Sequence, residues 1–173
     1  MSVQDNGLVR VRMMAAADVA PVAAAFAAQG WHKPQEQYTR YLAESDQGRR
    51  VVLLAERGGE FAGYVTIVWE SDYPPFRDAG IPEIVDFNVL IKYQRRGVGT
   101  VLLNEAERRI AERSAVAGIG VGLTADYGAA QVLYVKRGYI LDGRGIAQAG
   151  RAIGHGEQVA VDDDLAIYFT KRV

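Results

Sequence analysis

The chain has 173 residues, with 20 basic and 21 acidic side chains and a formal net charge of −1. This length suits one domain with a sizeable core, and the balanced charge gives no electrostatic basis for binding nucleic acid or an anionic membrane. The absence of cysteine excludes disulfides, thiolate metal sites and an acyl-cysteine intermediate. No apolar stretch is long enough for a membrane span, and the N-terminus lacks a signal-like pattern, so we expect residues 1–173 to form a single cytoplasmic domain.

The first half of the chain predicts a strand, two helices and a β-hairpin. Apolar and basic residues alternate over 8–13, which favours a half-buried strand. Apolar spacing and the helix-starting prolines predict helices over 19–30 and 34–46. Two apolar runs, 50–57 and 60–69, flank the glycine pair 58–59 and predict a hairpin. The prolines and glycine within 70–82 favour a loop.

The second half predicts helices that alternate with strands. β-branched and aromatic residues favour a buried central strand over 84–91, and the apolar period then changes to that of a helix over 98–113. A glycine-rich strand over 118–124, a helix over 128–137, a short strand from 139, a loop over 142–164 and a strand over 165–170 follow. We therefore expect an α/β fold in which helices cover one mixed sheet.

The junction between the central strand and its helix contains Gln94, Gly97 and Gly99. A helix start has backbone N–H groups without intrahelical partners and favours negative charge, and glycines let an anion approach the backbone. Leu102 stands where the dinucleotide fingerprint needs a third glycine, and no Gly-Lys-Ser/Thr triplet follows Gly97. The turn therefore predicts a phosphate site of another kind, with a purely steric role for the glycines as the alternative.

The pattern Gln/Arg-x-x-Gly-x-Gly/Ala, behind a strand and opening a helix, resembles the first signature of the GNAT superfamily of acyl-CoA-dependent N-acyltransferases. Residues 130–139, Ala-Gln-Val-Leu-Tyr-Val-Lys-Arg-Gly-Tyr, are similar to that family's second signature, Ala-x-x-Leu-Tyr-x-x-x-Gly-Phe/Tyr. The resemblance implies a largely antiparallel mixed sheet of about seven strands flanked by helices and splayed between the strands at 84–91 and 118–124. It also implies acetyl-CoA as the cosubstrate, and with only two histidines, far apart in sequence, no metal is expected.

The resemblance also implies which residues hold the coenzyme. The backbone of Val89 and Ile91 would meet the pantetheine amides. The pyrophosphate would bind the turn that Gln94 opens, at the backbone N–H groups of Arg96, Gly97, Val98, Gly99 and Thr100. The side chains of Arg95, Arg96, Lys136 and Arg137 could contact the coenzyme phosphates as surface charges, although such side chains are more often simply solvated. Tyr127 replaces the asparagine that the family often has before its second signature, so no contact to the pantetheine arm is expected from there.

Glu83 and Tyr134 are the predicted catalytic residues, since attack on a thioester needs a neutral amine and a proton for the departing thiolate. Glu83 lies 14 positions before Gly97, a spacing that is similar to that of the general-base glutamate in the histone acetyltransferase branch; an ordinary charged residue at a loop–strand junction is the alternative. Asp86 is a rival base, placed by regular alternation on the opposite face of the strand. Tyr134 matches the family tyrosine that protonates or hydrogen-bonds the coenzyme sulfur, with simple packing as the alternative.

The acceptor is expected to be a primary amine of a small molecule, such as an antibiotic, a polyamine or an amino-acid derivative, attacking directly in a ternary complex. By the resemblance its site would be lined by residues 31–41, 70–82 and 142–163, whose aromatic side chains suit a cationic amine. A protein lysine or N-terminal amine is the second interpretation. A non-catalytic acyl-CoA sensor and an unrelated phosphate-binding domain are alternatives of other classes, and the oligomeric state, a homodimer included, is left open.

Overall fold

The computed structural model describes residues 7–173 and shows one sheet of eight strands flanked by helices. The strands are β1 (Val9–Met13), β2 (Arg50–Arg57), β3 (Glu60–Val68), β4 (Glu83–Val89), β5 (Val116–Gly122), β6 (Ile140–Gln148), β7 (Arg151–Ala152) and β8 (Leu165–Arg172). The helices are α1 (Val19–Ala28), α2 (Gln35–Asp46), α3 (Pro74–Ala79), α4 (Val98–Ala111) and α5 (Gly128–Lys136). Within residues 7–173 no helix is long and apolar enough to cross a membrane.

The strand order in the sheet is β1-β2-β3-β4-β5-β8-β6-β7. β4 and β5 run parallel and pair at Glu83–Gly118 and Ile84–Ile119, whereas β1–β2, β2–β3, β5–β8, β6–β8 and β6–β7 are antiparallel. The predicted fold class, a mixed and largely antiparallel sheet with flanking helices, is confirmed. The sheet has eight strands where about seven were expected, because the segment after β6 adds the two-residue strand β7.

The described chain divides into two compact units, one of which comprises residues 7–68 together with 86–109. The core of this unit is an aromatic cluster in which Phe26, Tyr38 and Tyr64 are fully buried. The rings of Phe26 and Tyr38 meet that of Tyr64 edge to face, with centroid distances of 5.6 and 5.4 Å. Such pairs add to the free energy gained by burying the rings, so this cluster fixes α1 and α2 against β3.

The other unit comprises residues 69–85 and 110–173, and its β5 is the predicted glycine-rich strand. A Cβ on Gly118 would lie 2.4 Å from Cε2 of Phe76, and one on Gly120 would lie 2.8 Å from Cε1 of Tyr168. Glycine weakens a strand unless another group comes close. Aromatic rings of the same chain occupy the space above β5 and account for its composition.

Residues 70–82 are not the irregular loop that the prolines and glycine predicted, because they contain α3. Pro74 and Pro75 occupy the first positions of this helix, where a missing N–H costs nothing and the fixed φ suits the helix. Gly80 follows with φ of 64°, the left-handed conformation that commonly ends a helix. The residues interpreted as helix breakers are therefore the start and stop signals of a short helix.

Several further boundaries differ from the predictions; β5, for example, begins and ends two residues before the predicted strand over 118–124. The central strand ends at Val89 rather than at residue 91, because Ile91–Tyr93 forms a 3-10 turn. β6 continues to Gln148, through the first part of the predicted 142–164 loop. Its pairing with β8 shifts register between Leu141 and Ile146, where Gly143 and Gly145 have positive φ. A bulge of this kind interrupts the alternation that reveals a strand in the sequence.

Candidate active site

Glu83 begins β4 and is buried, with only 7% of its surface exposed. The hydroxyl of Ser71 donates a hydrogen bond to its Oε2, and the Oγ of Ser71 accepts one from the backbone N–H of Tyr73 at 2.9 Å. The residue that pairs with Glu83 on β5 is Gly118, which has no side chain. Glu83 is therefore a buried carboxylate at the start of β4 whose orientation is fixed by Ser71.

An aromatic wall lies in the same unit as Glu83. The rings of Tyr73 and Tyr168 stack with centroids 3.7 Å apart and planes at 3°, and Phe76 meets both rings edge-on. The Tyr73 hydroxyl donates to Oδ2 of Asp142 at 2.8 Å. Burial, followed by the charge of Glu83, raises the pKa of Tyr168 to about 12, so this phenol is neutral at physiological pH.

Ser71 and Tyr168 were not among the site residues predicted from the sequence. Ser71 sits in a short polar link between β3 and α3, where a serine carries no distinctive signal. Tyr168 stands directly across from Gly120 in the β5–β8 ladder. The one available signal was a glycine opposite an aromatic residue on the neighbouring strand. That signal can be recognised only when the register of the two strands is known.

Tyr134 lies on α5 and is 4% exposed. Its ring packs beside that of Tyr139, with centroids 6.0 Å apart, and within residues 7–173 its hydroxyl makes no hydrogen bond. Burial, and to a smaller extent the proximity of Tyr127, raises the pKa of Tyr134 above its usual value, so the phenol keeps its proton at any physiological pH. Glu83 and Tyr134 belong to the same unit, but each has its own neighbours and the structure does not join them by a hydrogen bond.

The turn before α4 lies in the other unit and is tightly wound, since Arg95 and Gly97 both have left-handed φ, of 58° and 82°. Space is open around Gly97, where a Cβ would meet no atom within 4 Å, whereas a Cβ on Gly99 would lie 2.9 Å from Cζ of Phe87. The first intrahelical bond of this end runs from Val101 N to Gly97 O, at 3.1 Å. The amides of residues 98–100 therefore precede the intrahelical ladder and are available to an anion.

The predicted pantetheine positions already make hydrogen bonds within the chain. The carbonyl of Val89 accepts from Nε2 of Gln94 at 3.2 Å, and the N–H of Ile91 donates to Oε1 of Gln29 at 3.0 Å. Ile91 also lies in the 3-10 turn and not in the strand. A ligand that pairs with these two groups must displace Gln29 from the Ile91 N–H, whereas the Val89 carbonyl has two lone pairs and can accept a second bond beside that of Gln94.

The rival base, Asp86, is the acceptor of a dense hydrogen-bond network. It has a left-handed φ of 51°, which interrupts the regular alternation of β4. Five side chains donate to its carboxylate at distances from 2.5 to 2.9 Å, namely Lys33, Gln37, Tyr41, Tyr64 and Asn88. Burial raises the pKa of Asp86, but the Lys33 charge and these hydrogen bonds outweigh it and hold that pKa below its usual value. A carboxylate so fully engaged is unsuited to accept a proton from a substrate, and Asp86 as base is the weaker interpretation.

The remaining predicted positions contribute little side-chain chemistry. Val98 is buried, while Arg96 and Thr100 are exposed, and the carbonyl of Arg96 accepts from Nη1 of Arg57 at 3.0 Å. Among residues 7–173 no group of three or more acidic, histidine or cysteine side chains is placed to hold a metal ion.

A family model and several solved structures match the chain. The model of a family described as "Acetyltransferase (GNAT) family" matches residues 18–139. A ribosomal-protein-alanine N-acetyltransferase from Brucella melitensis aligns with a TM-score of 0.68 at 20% identity, over 95% of this chain and 99% of that chain. No curated protein sequence matches the chain.

Two further solved structures share the fold. The ribosomal-protein-S18-alanine N-acetyltransferase from Escherichia coli aligns with a TM-score of 0.65 at 16% identity, over 95% of this chain and 94% of that chain. An acetyl transferase from Salmonella typhimurium, which modifies the N-terminal serine of ribosomal protein L7/L12, aligns with a TM-score of 0.70 at 12% identity, over 99% and 98% of the two chains. At sequence identities of 12–20% these similarities show a shared fold and nothing more specific.

Proposed function

The chain belongs to the acetyltransferase (GNAT) family, as the two signatures predicted, and we propose that it transfers the acetyl group of acetyl-CoA to the N-terminal amine of a protein. This acceptor replaces the small-molecule amine preferred from the sequence. The three neighbours above are named for acetylating ribosomal proteins, two of them at alanine and one at an N-terminal serine, which favours the protein-amine alternative. The proposal takes residues 1–173 as one acetyltransferase domain.

The observation that carries a catalytic role is the buried carboxylate of Glu83, oriented by Ser71. The amine must lose a proton to attack, and an α-amino group, with a pKa near 8, loses it far more readily than a lysine with a pKa near 10.4. In our proposal the amine nitrogen forms a bond to the thioester carbonyl carbon, and Glu83 takes the proton from that nitrogen. The carbon–sulfur bond then breaks, and the leaving sulfur receives a hydrogen bond or a proton from Tyr134.

Acetyl-CoA would be held by the turn before α4. The open space at Gly97 and the amides of residues 98–100 suit a pyrophosphate, which the positive end of the helix dipole also favours. The pantetheine arm would donate to the Val89 carbonyl beside Gln94 and would replace Gln29 at the Ile91 N–H. Acetyl-CoA supplies the activated acyl group, and the chain's own residues bind it and move the proton.

A thiol-release assay with matched acceptors tests this proposal. One peptide has a free N-terminal alanine or serine, a second is the same peptide with a blocked N-terminus and a free lysine, and a third acceptor is a polyamine. We expect acetyl-CoA-dependent release of coenzyme A with the first peptide only. Turnover of the polyamine alone would restore the small-molecule interpretation, and acetyl-CoA binding without turnover on any amine would identify a sensor.

The variant Glu83→Gln tests the role of the base. It keeps the size of the side chain but cannot accept the proton, and general-base catalysis typically contributes about 10²–10⁴-fold. We expect the rate to fall by at least about 10²-fold at neutral pH, with the dissociation constant for acetyl-CoA unchanged in calorimetric titration. Unchanged kinetics would remove Glu83 from the mechanism.

A further inference from the structure

We infer that Ser71 is a positioning residue that orients Glu83 for proton transfer and stabilises its charged form. This inference rests on the proposed function, because it assumes that Glu83 is the base. Ser71 is 1% exposed and its hydroxyl donates to Oε2 of Glu83. A buried hydroxyl that donates to a buried carboxylate orients that carboxylate directly.

The direction of the Ser71 hydroxyl is fixed by a second contact. A serine hydroxyl has one proton and can rotate to suit its surroundings. Here its oxygen already accepts the N–H of Tyr73 at 2.9 Å, so the proton is left to point at Glu83. The carboxylate consequently receives a hydrogen bond without any reorganisation when the reaction needs it.

Tyr73, which aligns Ser71, is itself held on two sides. Its ring stacks on Tyr168 of β8, and its hydroxyl donates to Asp142 of β6 at 2.8 Å. The position of Ser71 is thus set by two strands of the sheet rather than by the short link that contains it. Second contacts of this kind are what keep a catalytic group within the narrow geometry that it needs.

Ser71 donates a hydrogen bond to Glu83, and the other groups around Glu83 act on its charged form as well. On β5 the paired residue is Gly118, which has no side chain, and on β8 the titratable neighbour is Tyr168, which keeps its proton at neutral pH. The carboxylates of Asp72, Asp142 and Asp164 are near enough to Tyr168 to raise its pKa. A hydrogen bond donated to a carboxylate favours the charged form, whereas burial and nearby negative charge oppose it.

The pH dependence of kcat/KM separates this role from a merely structural one. In Ser71→Ala we expect the acid limb to move up by about one pH unit, so that kcat/KM falls about tenfold below the limb and much less at high pH. Ser71→Thr keeps the hydroxyl and should restore the wild-type limb. The dissociation constant for acetyl-CoA should be the same in all three proteins.

Two further variants keep the test decisive. Ser71→Cys replaces the hydroxyl with a weaker donor of similar shape, and it should give an intermediate shift even where Ser71→Ala does not fold. In the Glu83→Gln background Ser71→Ala should leave the residual rate unchanged, because its effect passes through Glu83. A folded Ser71→Ala or Ser71→Cys protein with the wild-type acid limb, or a second loss of rate in the Glu83→Gln background, overturns the inference about Ser71 alone. An active Glu83→Gln protein with wild-type kinetics overturns the base assignment and the inference together.

Discussion

Lys33 and Asp86 form an ion pair in which Nζ lies 2.8 Å from Oδ1 and each side chain is only 18% exposed. The pair stands at a strained point of the central strand, since Asp86 has a left-handed φ of 51°. Backbone conformations of this kind cost free energy and persist when the surroundings determine them strongly. The donors from α2 and β3 that converge on Asp86 provide those surroundings, so the pair connects the conformation of β4 to the start of α2.

Removal of the lysine charge should destabilise the protein more than removal of a surface lysine charge. In Lys33→Met the carboxylate of Asp86 stays partly buried without its cation, and we expect the free energy of unfolding to fall by about 2 kcal/mol. The matched control is Lys92→Met. Lys92 and Glu60 form an ion pair of 2.7 Å, close to the 2.8 Å of Lys33 and Asp86, but both of its side chains are exposed, and an exposed pair contributes little. Urea denaturation measures both, and equal losses would contradict the importance of burial.

Asp86 should also make the protein sensitive to acid. Burial raises its pKa, but Lys33 and the hydrogen bonds hold the pKa of the folded state below the usual value, which the unfolded chain keeps near 3.9. As the pH falls below about 4 the unfolded chain therefore binds the proton first, and the stability contributed by Asp86, complete above that pH, is lost.

The variant Asp86→Asn tests this linkage, because its amide does not titrate. Its free energy of unfolding should be lower than that of the wild type at pH 6 and should change less between pH 5 and pH 3. Urea denaturation across that range gives both quantities. A variant whose acid dependence is as steep as that of the wild type would assign the effect to other carboxylates.

Gly118 and Gly120 of β5 lie against aromatic rings, so we expect a side chain added there to destabilise the protein. In Gly118→Ala the new methyl group would overlap the ring of Phe76, at 2.4 Å from Cε2, and we expect a loss of about 1–3 kcal/mol in unfolding free energy. Gly128→Ala is the control, since a Cβ there meets nothing within 4 Å and alanine suits a helix start better than glycine. The melting temperature should fall for Gly118→Ala and should rise slightly or stay unchanged for Gly128→Ala. A Gly118→Ala protein with the wild-type melting temperature would mean that Phe76 shifts to accept the methyl group.

Periodicity and turn chemistry were enough to predict most of the fold. The change from strand to helix period around Gly97 located β4 and α4, and the glycine pair 58–59 located the β2–β3 hairpin. The errors fall where one residue type serves two purposes. Proline and glycine break most regular structure, yet proline is favoured at a helix start and glycine after a helix end. Pro74 and Gly80 lie on either side of the buried Phe76 and so bound a short helix.

The candidate site was predictable only as far as it lies in local motifs. The two signatures point to Tyr134 and the turn at Gly97, and the distance of Glu83 from Gly97 points to Glu83; the roles of all three stay predictions. Ser71 contacts Glu83 from another segment, and Lys33 contacts Asp86 across 53 positions of the chain. Neither contact belongs to a local sequence motif, so neither could be predicted from the sequence. Contacts of this kind depend on the strand register and on backbone conformations such as that of Asp86, which tertiary structure decides.

Tyr134→Phe should lower the rate without weakening coenzyme binding. The hydroxyl is buried, makes no hydrogen bond within residues 7–173, and has a raised pKa, so it stays protonated and can donate a hydrogen bond to the departing sulfur. We expect kcat to fall about 10²-fold with the dissociation constant for acetyl-CoA unchanged. Because Tyr134 stays protonated, the pH profile below pH 9 should keep its shape. A variant with wild-type kcat and lower thermal stability would assign the ring to packing alone.

Gly97 allows the coenzyme cradle to be tested with two substitutions of nearly equal size. Its φ of 82° is left-handed, and nothing lies within 4 Å of a Cβ at this position. Asparagine and aspartate both tolerate this conformation better than other residues, so the strain is similar in the two variants. Aspartate alone adds a negative charge where the pyrophosphate would sit. Calorimetric titration with acetyl-CoA should therefore show a dissociation constant at least about tenfold higher for Gly97→Asp than for Gly97→Asn, with the difference shrinking as salt is added. Equal affinities of the two variants at low salt would place the pyrophosphate away from this turn.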